Sequence, residues 1–270
     1  MAPETALYYT ANLALFAAVL LHWWNVCRPA RIPERVLRST PILFVTLQGV
    51  ALVWSAAMSG PPSIAHPWLA TMLMLEATIL LCLLLERRPG PRAAGAIVVT
   101  LAFFVHSYSL VIGPPPLWED LTISPFARNP WYMLHVLSAL VACGAYVCAA
   151  GGAIVYAAPL LPRRDDSAAR GTLQRDGKAF ARGALTFAFP WLTGSVFAHA
   201  VWTYLAWGTY WSWRLAGVVL IIVWLILVAT LHTRARSRWQ GTICALLTLI
   251  GLVLALASLP LLGQGLVATW

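Results

Sequence analysis

Eight long apolar runs follow one another along this chain and decide what it can fold into. A run of about 20 apolar residues crosses the hydrocarbon layer of a bilayer as an α-helix, because a helix pairs its backbone polar groups internally. The runs cover residues 6–27, 41–58, 68–86, 93–112, 131–160, 182–205, 214–233 and 241–262. With 60% hydrophobic and 10% charged residues, the sequence predicts an all-α, multi-pass membrane bundle that forms one domain over residues 1–270.

The basic residues predict how the bundle is oriented. Of the 18 Lys and Arg, 16 lie in alternate connections, after runs one, three, five and seven. The positive-inside rule places these connections in the cytoplasm and both termini outside, in a cytoplasmic (inner) membrane. The net charge of +9 is therefore a topology signal, and it gives no support to nucleic-acid binding.

A dense aromatic cluster lies between runs six and seven, within an external loop at residues 206–214. It contains Trp207, Tyr210, Trp211 and Trp213, followed by Arg214. Single Trp residues anchor helices at the membrane interface, because an indole is apolar over its face and polar at its N–H group. Three in seven residues exceed that need, and the cluster predicts a platform for a flat, hydrophobic ligand.

Five of the six histidines lie in or beside the apolar runs, where an ionisable side chain is costly and functional by default. They form two layers. His22 and His232 are near the inner face, and His106, His135 and His199 are near the outer face. Two imidazoles on facing helices can hold a six-coordinate b-type haem, so the layers predict one or two haem sites. The alternative for each is a structural, hydrogen-bonded histidine, which is favoured for His66 in its loop.

Other polar groups predict little chemistry. None of the five cysteines forms a CxxC or CxxCH motif, so the chain does not attach a c-type haem to itself. Glu76 lies in the middle of run three, where a structural polar contact and a proton relay are both open. The sequence contains no acid–base or nucleophile constellation, and whether the protein is an enzyme is left open.

The aromatic cluster resembles the WGxYWxWD signature of the CcsA/ResC cytochrome c assembly proteins. Two further segments are similar to that family in the same order. Leu231-His232-Thr233-Arg234 is similar to its LHxR ending, and Trp131 to Val136 is similar to the start of the span after its long external loop. The resemblance covers nearly the whole chain.

What the resemblance implies is haem transport and presentation. His232 matches a transmembrane haem ligand, His135 matches the first external axial ligand, and Trp207, Trp211 and Trp213 match the haem platform. The implied partners are a CcsB/ResB-like membrane subunit and a c-type cytochrome whose thiols receive the haem.

The chain departs from the family pattern at two places. Arg214 stands where the signature has an acid, and a guanidinium there suits a haem propionate. The second external histidine is missing, since Gly265-Leu266-Val267 is present and no histidine follows His232. His199 or His106 is expected to replace that ligand.

The departures leave three functions open. The first is haem handling in cytochrome c assembly. The second is a haem b-binding electron-transfer subunit of a larger respiratory or redox complex, which the two histidine layers and the two departures favour. The third is a quinone- or lipid-binding structural subunit without haem.

Overall fold

A computed structural model describes residues 3–28, 32–59, 67–87, 92–112, 129–158, 167–211, 213–233 and 238–258. These residues form eight α-helices and contain no strand. The helices are α1 (Pro3–Cys27), α2 (Glu34–Ser59), α3 (Pro67–Leu85), α4 (Arg92–Ile112), α5 (Pro130–Ala157), α6 (Ser167–Trp207), α7 (Leu215–His232) and α8 (Arg238–Ser258). Each is long and apolar enough to cross a membrane, which confirms the predicted fold class.

Helix α5 is the centre of the bundle. Its spanning segment is 78% buried, more than that of any other helix. It packs most extensively against α6 and also against α3, α4 and α8. Helices α1 and α2 pack on the α3–α4 side, whereas α7 packs against α6 and α8.

Two adjacent glycines, Gly151 and Gly152, let the neighbouring helices approach α5 closely. A Cβ atom at Gly152 would lie 2.6 Å from the backbone of Gly177 and Ala181 in α6. A Cβ atom at Gly151 would lie 3.0 Å from the carbonyl oxygen of Ala94 in α4. Small residues at helix interfaces are how membrane bundles gain packing energy, so this pair fixes the spacing of three helices.

Helix α6 is much longer than its predicted span. The apolar run begins at residue 182, but the helix begins at Ser167 and has 41 residues, about 60 Å at 1.5 Å per residue. The part of the helix before residue 182 carries Arg175, Asp176 and Lys178. These charged residues are helical, but their low hydropathy excludes them from the predicted span. The same cause places the start of α2 at Glu34, seven residues before the apolar run.

Several predicted features lie outside the described residues. These are His66, residues 113–128 between α4 and α5, Arg234 and the segment Gly265-Leu266-Val267. The orientation of the termini stays a prediction.

Candidate functional site

Helices α5 and α6 bring two of the three outer histidines into contact. The ring centroids of His135 and His199 are 4.8 Å apart, with an angle of 57° between the ring planes. Both side chains are buried, at 7% and 5% exposure. They meet because His135 is near the start of α5 and His199 is near the end of α6, and the two helices run antiparallel.

Hydrogen bonds hold the His135 ring in one orientation. Its Nδ1 is 3.1 Å from the carbonyl oxygen of Ser195 and 2.9 Å from the Ser195 hydroxyl oxygen. The Ser195 hydroxyl donates in turn to the His135 carbonyl at 3.0 Å. Because a carbonyl oxygen only accepts, Nδ1 carries the proton, and Nε2 is left as the basic nitrogen that can bind a metal.

The His199 ring lacks such hydrogen bonds. Neither of its ring nitrogens has a hydrogen-bond partner among the described residues, although both are buried. A buried polar atom without a partner costs about 1–3 kcal/mol, so such a group indicates that a ligand completes the site. The ring is surrounded by Trp211, at a centroid distance of 5.4 Å, and Trp202, at 6.0 Å.

The external loop is folded back towards this pair by a glycine turn. Gly208 has a φ angle of 72°, which ends α6 in the left-handed conformation that a side chain disfavours. The Thr203 hydroxyl donates to the carbonyl of Tyr210 at 2.9 Å, and the rings of Tyr204 and Tyr210 stack at 4.3 Å. These contacts return the chain to α6, and Trp211 reaches His199 as a result.

The predicted tryptophans divide into two groups. Trp211 is half-buried beside the histidines, whereas Trp213 is 85% exposed. Trp207 lies between these extremes, packed edge-to-face on Trp202 at 4.7 Å. The guanidinium of Arg214 lies over the Trp207 ring at 4.6 Å, so the departure from the family pattern places a cation on the rim of the cluster.

Two aromatic residues of the site were not predicted from the sequence. Trp202 is 3% exposed and contacts His199, Trp207 and Tyr132. The signal was present, because residues three apart on a helix share a face and Trp202 follows His199 by three. Tyr132 stands in the same relation to His135 on α5.

His106 lies in a different part of the bundle. Its Nδ1 is 3.0 Å from the side-chain oxygen of Asn12 on α1, and its ring packs edge-to-face on Phe44 of α2 at 5.2 Å. Its Nε2 has no partner among the described residues. His106 therefore belongs to the α1–α2–α4 interface, and His199 is the outer histidine that accompanies His135.

The inner histidines have separate environments. His22 on α1 is 2% exposed, with Nδ1 2.7 Å from its own helix at Ala18 and Nε2 3.5 Å from a Glu86 carboxylate oxygen. His232 ends α7, is exposed, and bonds the carbonyl of Val228 through Nδ1 at 2.8 Å. The two helices pack against different partners, α1 against α2 and α4 and α7 against α6 and α8.

The described residues contain no group of three or more His, Cys, Asp or Glu side chains that could hold a bare metal ion. A pair of imidazoles suits a metal that brings its own equatorial ligands in a flat ring. The outer pair, walled by Trp202 and Trp211, has that chemistry.

Comparison with known proteins points in one direction. The profile of the family described as Cytochrome C assembly protein matches residues 62–261, about three quarters of the chain. The cytochrome c biogenesis protein CcsA of Parasynechococcus marenigrum is 28% identical over 97% of this chain and 94% of its own length. The proteins of that name from Guillardia theta and Marchantia polymorpha are 27% and 22% identical, over 67% and 97% of this chain.

A solved structure shares the fold. The chain superposes on a cytochrome c haem lyase, CcmF, with a TM-score of 0.57 at 18% identity. The match covers 97% of this chain and 50% of the CcmF chain, so this chain spans about half the length of that protein.

Proposed function

Since the chain belongs to the Cytochrome C assembly protein family, we propose that it handles haem and presents it outside the membrane for attachment to c-type cytochromes. His135 and His199 are the residues proposed to hold the haem iron, as cargo. The exposed tryptophans and Arg214 form the surface from which it is offered. In this proposal the membrane is the cytoplasmic one, with the α5–α6 histidine pair near its outer face.

The observation that carries this proposal is the state of the two imidazoles. His135 has its Nδ1 fixed by Ser195, which leaves Nε2 available to iron. His199 is buried with both nitrogens unpartnered among the described residues. One ring is positioned in advance and the other is unrestrained.

The spacing of the rings indicates how haem enters. His135 and His199 would hold the iron of a haem through their imidazoles. Their ring centroids are 4.8 Å apart, in direct contact, so one ring would have to turn away before a macrocycle could lie between them. His199 is the ring to move, because no hydrogen bond restrains it.

The surrounding aromatic side chains supply the rest of the binding energy. Each good contact between a flat macrocycle and an indole is worth on the order of 0.5–1.5 kcal/mol beyond the area that it buries. Trp211 and Trp202 flank His199, and Trp207 continues the surface outward to Arg214. The guanidinium is a partner for a haem propionate.

The exposed position of His232, at the inner end of the bundle, is an argument for a second membrane protein as partner. His232 is exposed at the end of α7, and a haem bound there needs its other axial ligand from elsewhere. A partner subunit of the CcsB/ResB type that packs on α7 is the proposed source.

The electron-transfer hypothesis receives less support. It needs a haem in each layer, held within the chain for rapid transfer. In the described residues His22 Nε2 faces Glu86, and His22 and His232 lie on helices with different packing partners. The family match also favours assembly.

Loss of c-type cytochromes tests the proposal. In a strain that lacks this gene, haem-stained c-type cytochromes should disappear and return with the wild-type gene. His199→Leu should fail to restore them, while the control Thr193→Val, on the same helix, should restore them. Normal c-type cytochromes in the deletion strain, with no related gene present, would count against an assembly role.

A further inference from the structure

A second cavity lies at the opposite end of the bundle from the histidine pair. It has a volume of about 420 Å³ and lies between the end of α5, the first half of α6, the end of α7 and the start of α8. Along α5, its residue Ala153 is 18 positions from His135, about 27 Å at 1.5 Å per residue. The cavity is therefore separate from the His135–His199 pair, and it lies beside His232, since Leu231 and Thr233 line it.

Two exposed cationic side chains line the cavity without an acidic partner among the described residues. Lys178 and Arg182 line it from successive turns of α6. Neither forms an ion pair with a described residue, and no acidic residue is in the described lining. Two uncompensated positive charges beside a concave surface favour an anionic ligand.

Hydrogen-bonding groups line the same cavity. Tyr156, Thr230 and Thr233 contribute hydroxyl groups at its helix ends. The Thr230 hydroxyl donates to the Ile226 carbonyl at 2.7 Å and the Thr233 hydroxyl donates to the Ala229 carbonyl at 2.8 Å, so the Tyr156 hydroxyl is the donor proposed to face a ligand. Tyr156 packs directly against Gly241, where a Cβ atom would collide with its hydroxyl group, so the floor of the cavity is fixed.

Apart from Cys244 and Thr248, the rest of the lining is apolar. Leu185, Ala181 and Ala245 extend the surface along α6 and α8, in the direction of the bilayer core. A ligand that fits must therefore have an anionic head and an apolar body. A small soluble anion satisfies only the first condition.

The depth of the cavity matches the level of lipid headgroups. Tyr156 is next to the last residue of α5, Thr233 follows the last residue of α7, and Gly241 is in the first turn of α8. The apolar run of α6 begins at Arg182 itself. The basic connections of the chain lie on this same side, which the positive-inside rule assigns to the cytoplasm.

We propose that this cavity binds the phosphodiester headgroup of an anionic phospholipid from the inner leaflet. Lys178 and Arg182 bind the phosphate oxygens, the hydroxyl group of Tyr156 donates to the headgroup, and the acyl chains lie along Leu185 and Ala245. Basic pockets between membrane helices on the cytoplasmic side commonly bind anionic lipid headgroups. The bound lipid ties together α5, α6, α7 and α8 at their inner ends.

Native mass spectrometry of the purified full-length protein tests this assignment. Phosphatidylglycerol and phosphatidylcholine with identical acyl chains are offered in turn. The wild-type protein should retain phosphatidylglycerol at least fivefold more than phosphatidylcholine. The double variant Lys178→Gln/Arg182→Gln should retain at least fivefold less phosphatidylglycerol than the wild-type protein. The charge-conserving variant Lys178→Arg/Arg182→Lys should retain as much as the wild-type protein.

The control removes two positive charges that are likewise exposed but do not line the cavity, as Arg35→Gln/Arg175→Gln, and should change retention less than twofold. Equal retention of the two lipids, or equal loss in the two charge-removal variants, would overturn the proposal. Displacement of the lipid by millimolar inorganic phosphate would reassign the cavity to a soluble anion. Displacement by haem would reassign it to carboxylate binding.

Discussion

A single serine, Ser195, fixes which ring nitrogen of His135 carries the proton. The carbonyl and hydroxyl oxygens of Ser195 accept hydrogen bonds from the Nδ1–H group of His135. The Ser195 hydroxyl in turn donates a hydrogen bond to the His135 backbone carbonyl. Partners of this kind fix the tautomer and raise the basicity of the liganding nitrogen. The contrast with unpartnered His199 gives the two rings unequal roles, one positioned and one movable.

Removing the Ser195 hydroxyl should weaken haem binding without removing it. Ser195→Ala keeps the backbone carbonyl contact to Nδ1 but loses the hydroxyl contacts, and loss of such a partner costs about tenfold in affinity. Haem titration of the purified protein, followed by absorbance, measures the effect. Ser109→Ala is the control, because that hydroxyl bonds only its own helix, at Val105. Equal haem affinities for the two variants would contradict a role for the Ser195 hydroxyl in haem binding.

The sequence offered these residues but not their pairing. Hydropathy and helix periodicity place His135, His106 and His199 at similar depth, which left both His199 and His106 open as the second outer ligand. The choice depends on how α5 and α6 are rotated about their axes, and packing of the whole bundle sets that rotation. Trp202 was missed although its spacing from His199 places both on one helix face.

At the level of helices, the α5–α6 pair is the structural unit that builds the outer site. Gly152 and Gly177 bring the two backbones together at the inner half, and His135 with Ser195 joins them at the outer half. A change in the spacing of α5 and α6 at the inner half is expected to alter the relative position of the His135 and His199 rings at the outer half, since both contacts lie along the same interface.

Two glycine substitutions should therefore have opposite effects on stability. Gly152→Ala places a Cβ atom 2.6 Å from the α6 backbone, and such overpacking costs about 1–3 kcal/mol. Gly194→Ala meets nothing within 4 Å and should gain about 0.5–1 kcal/mol from reduced backbone freedom. Thermal unfolding in detergent should show a lower midpoint for the first variant only. A midpoint at or above wild type for Gly152→Ala would contradict the close contact.

Helix existence was predictable from the sequence, but helix ends were less so. The membrane imposes length and apolarity, so all eight spans could be located from composition alone. The start of α6 at Ser167 could not, because its first turns are charged and lie beyond the apolar run. Those turns carry Lys178, which is why the inner cavity was not predicted from the sequence either.

At the scale of the whole molecule, two features of the described residues lie at opposite ends of the bundle. The basic connections and the cavity lined by Lys178 and Arg182 lie at one end, and the tryptophan turn with the histidine pair lies at the other. In the proposed function, haem would be received at the first end and offered at the second.

Reporter fusions test the predicted orientation. Alkaline phosphatase, which is active only outside the cytoplasm, should be active when fused after Tyr210 and inactive when fused after Arg175. The positive-inside rule sets this expectation, because the connection before α6 is basic and the one after it is aromatic. The reverse pattern of activities would place the tryptophan turn in the cytoplasm and exclude presentation of haem outside.

The reduced-minus-oxidised visible spectrum of the purified protein tests the central claim most directly. The wild-type protein should show the α band of a six-coordinate b-type haem. His135→Leu and His199→Leu should each shift or remove that band, and His106→Leu should leave it unchanged. A band that survives His199→Leu but is lost in His106→Leu, or a wild-type protein with no haem band, would contradict the account.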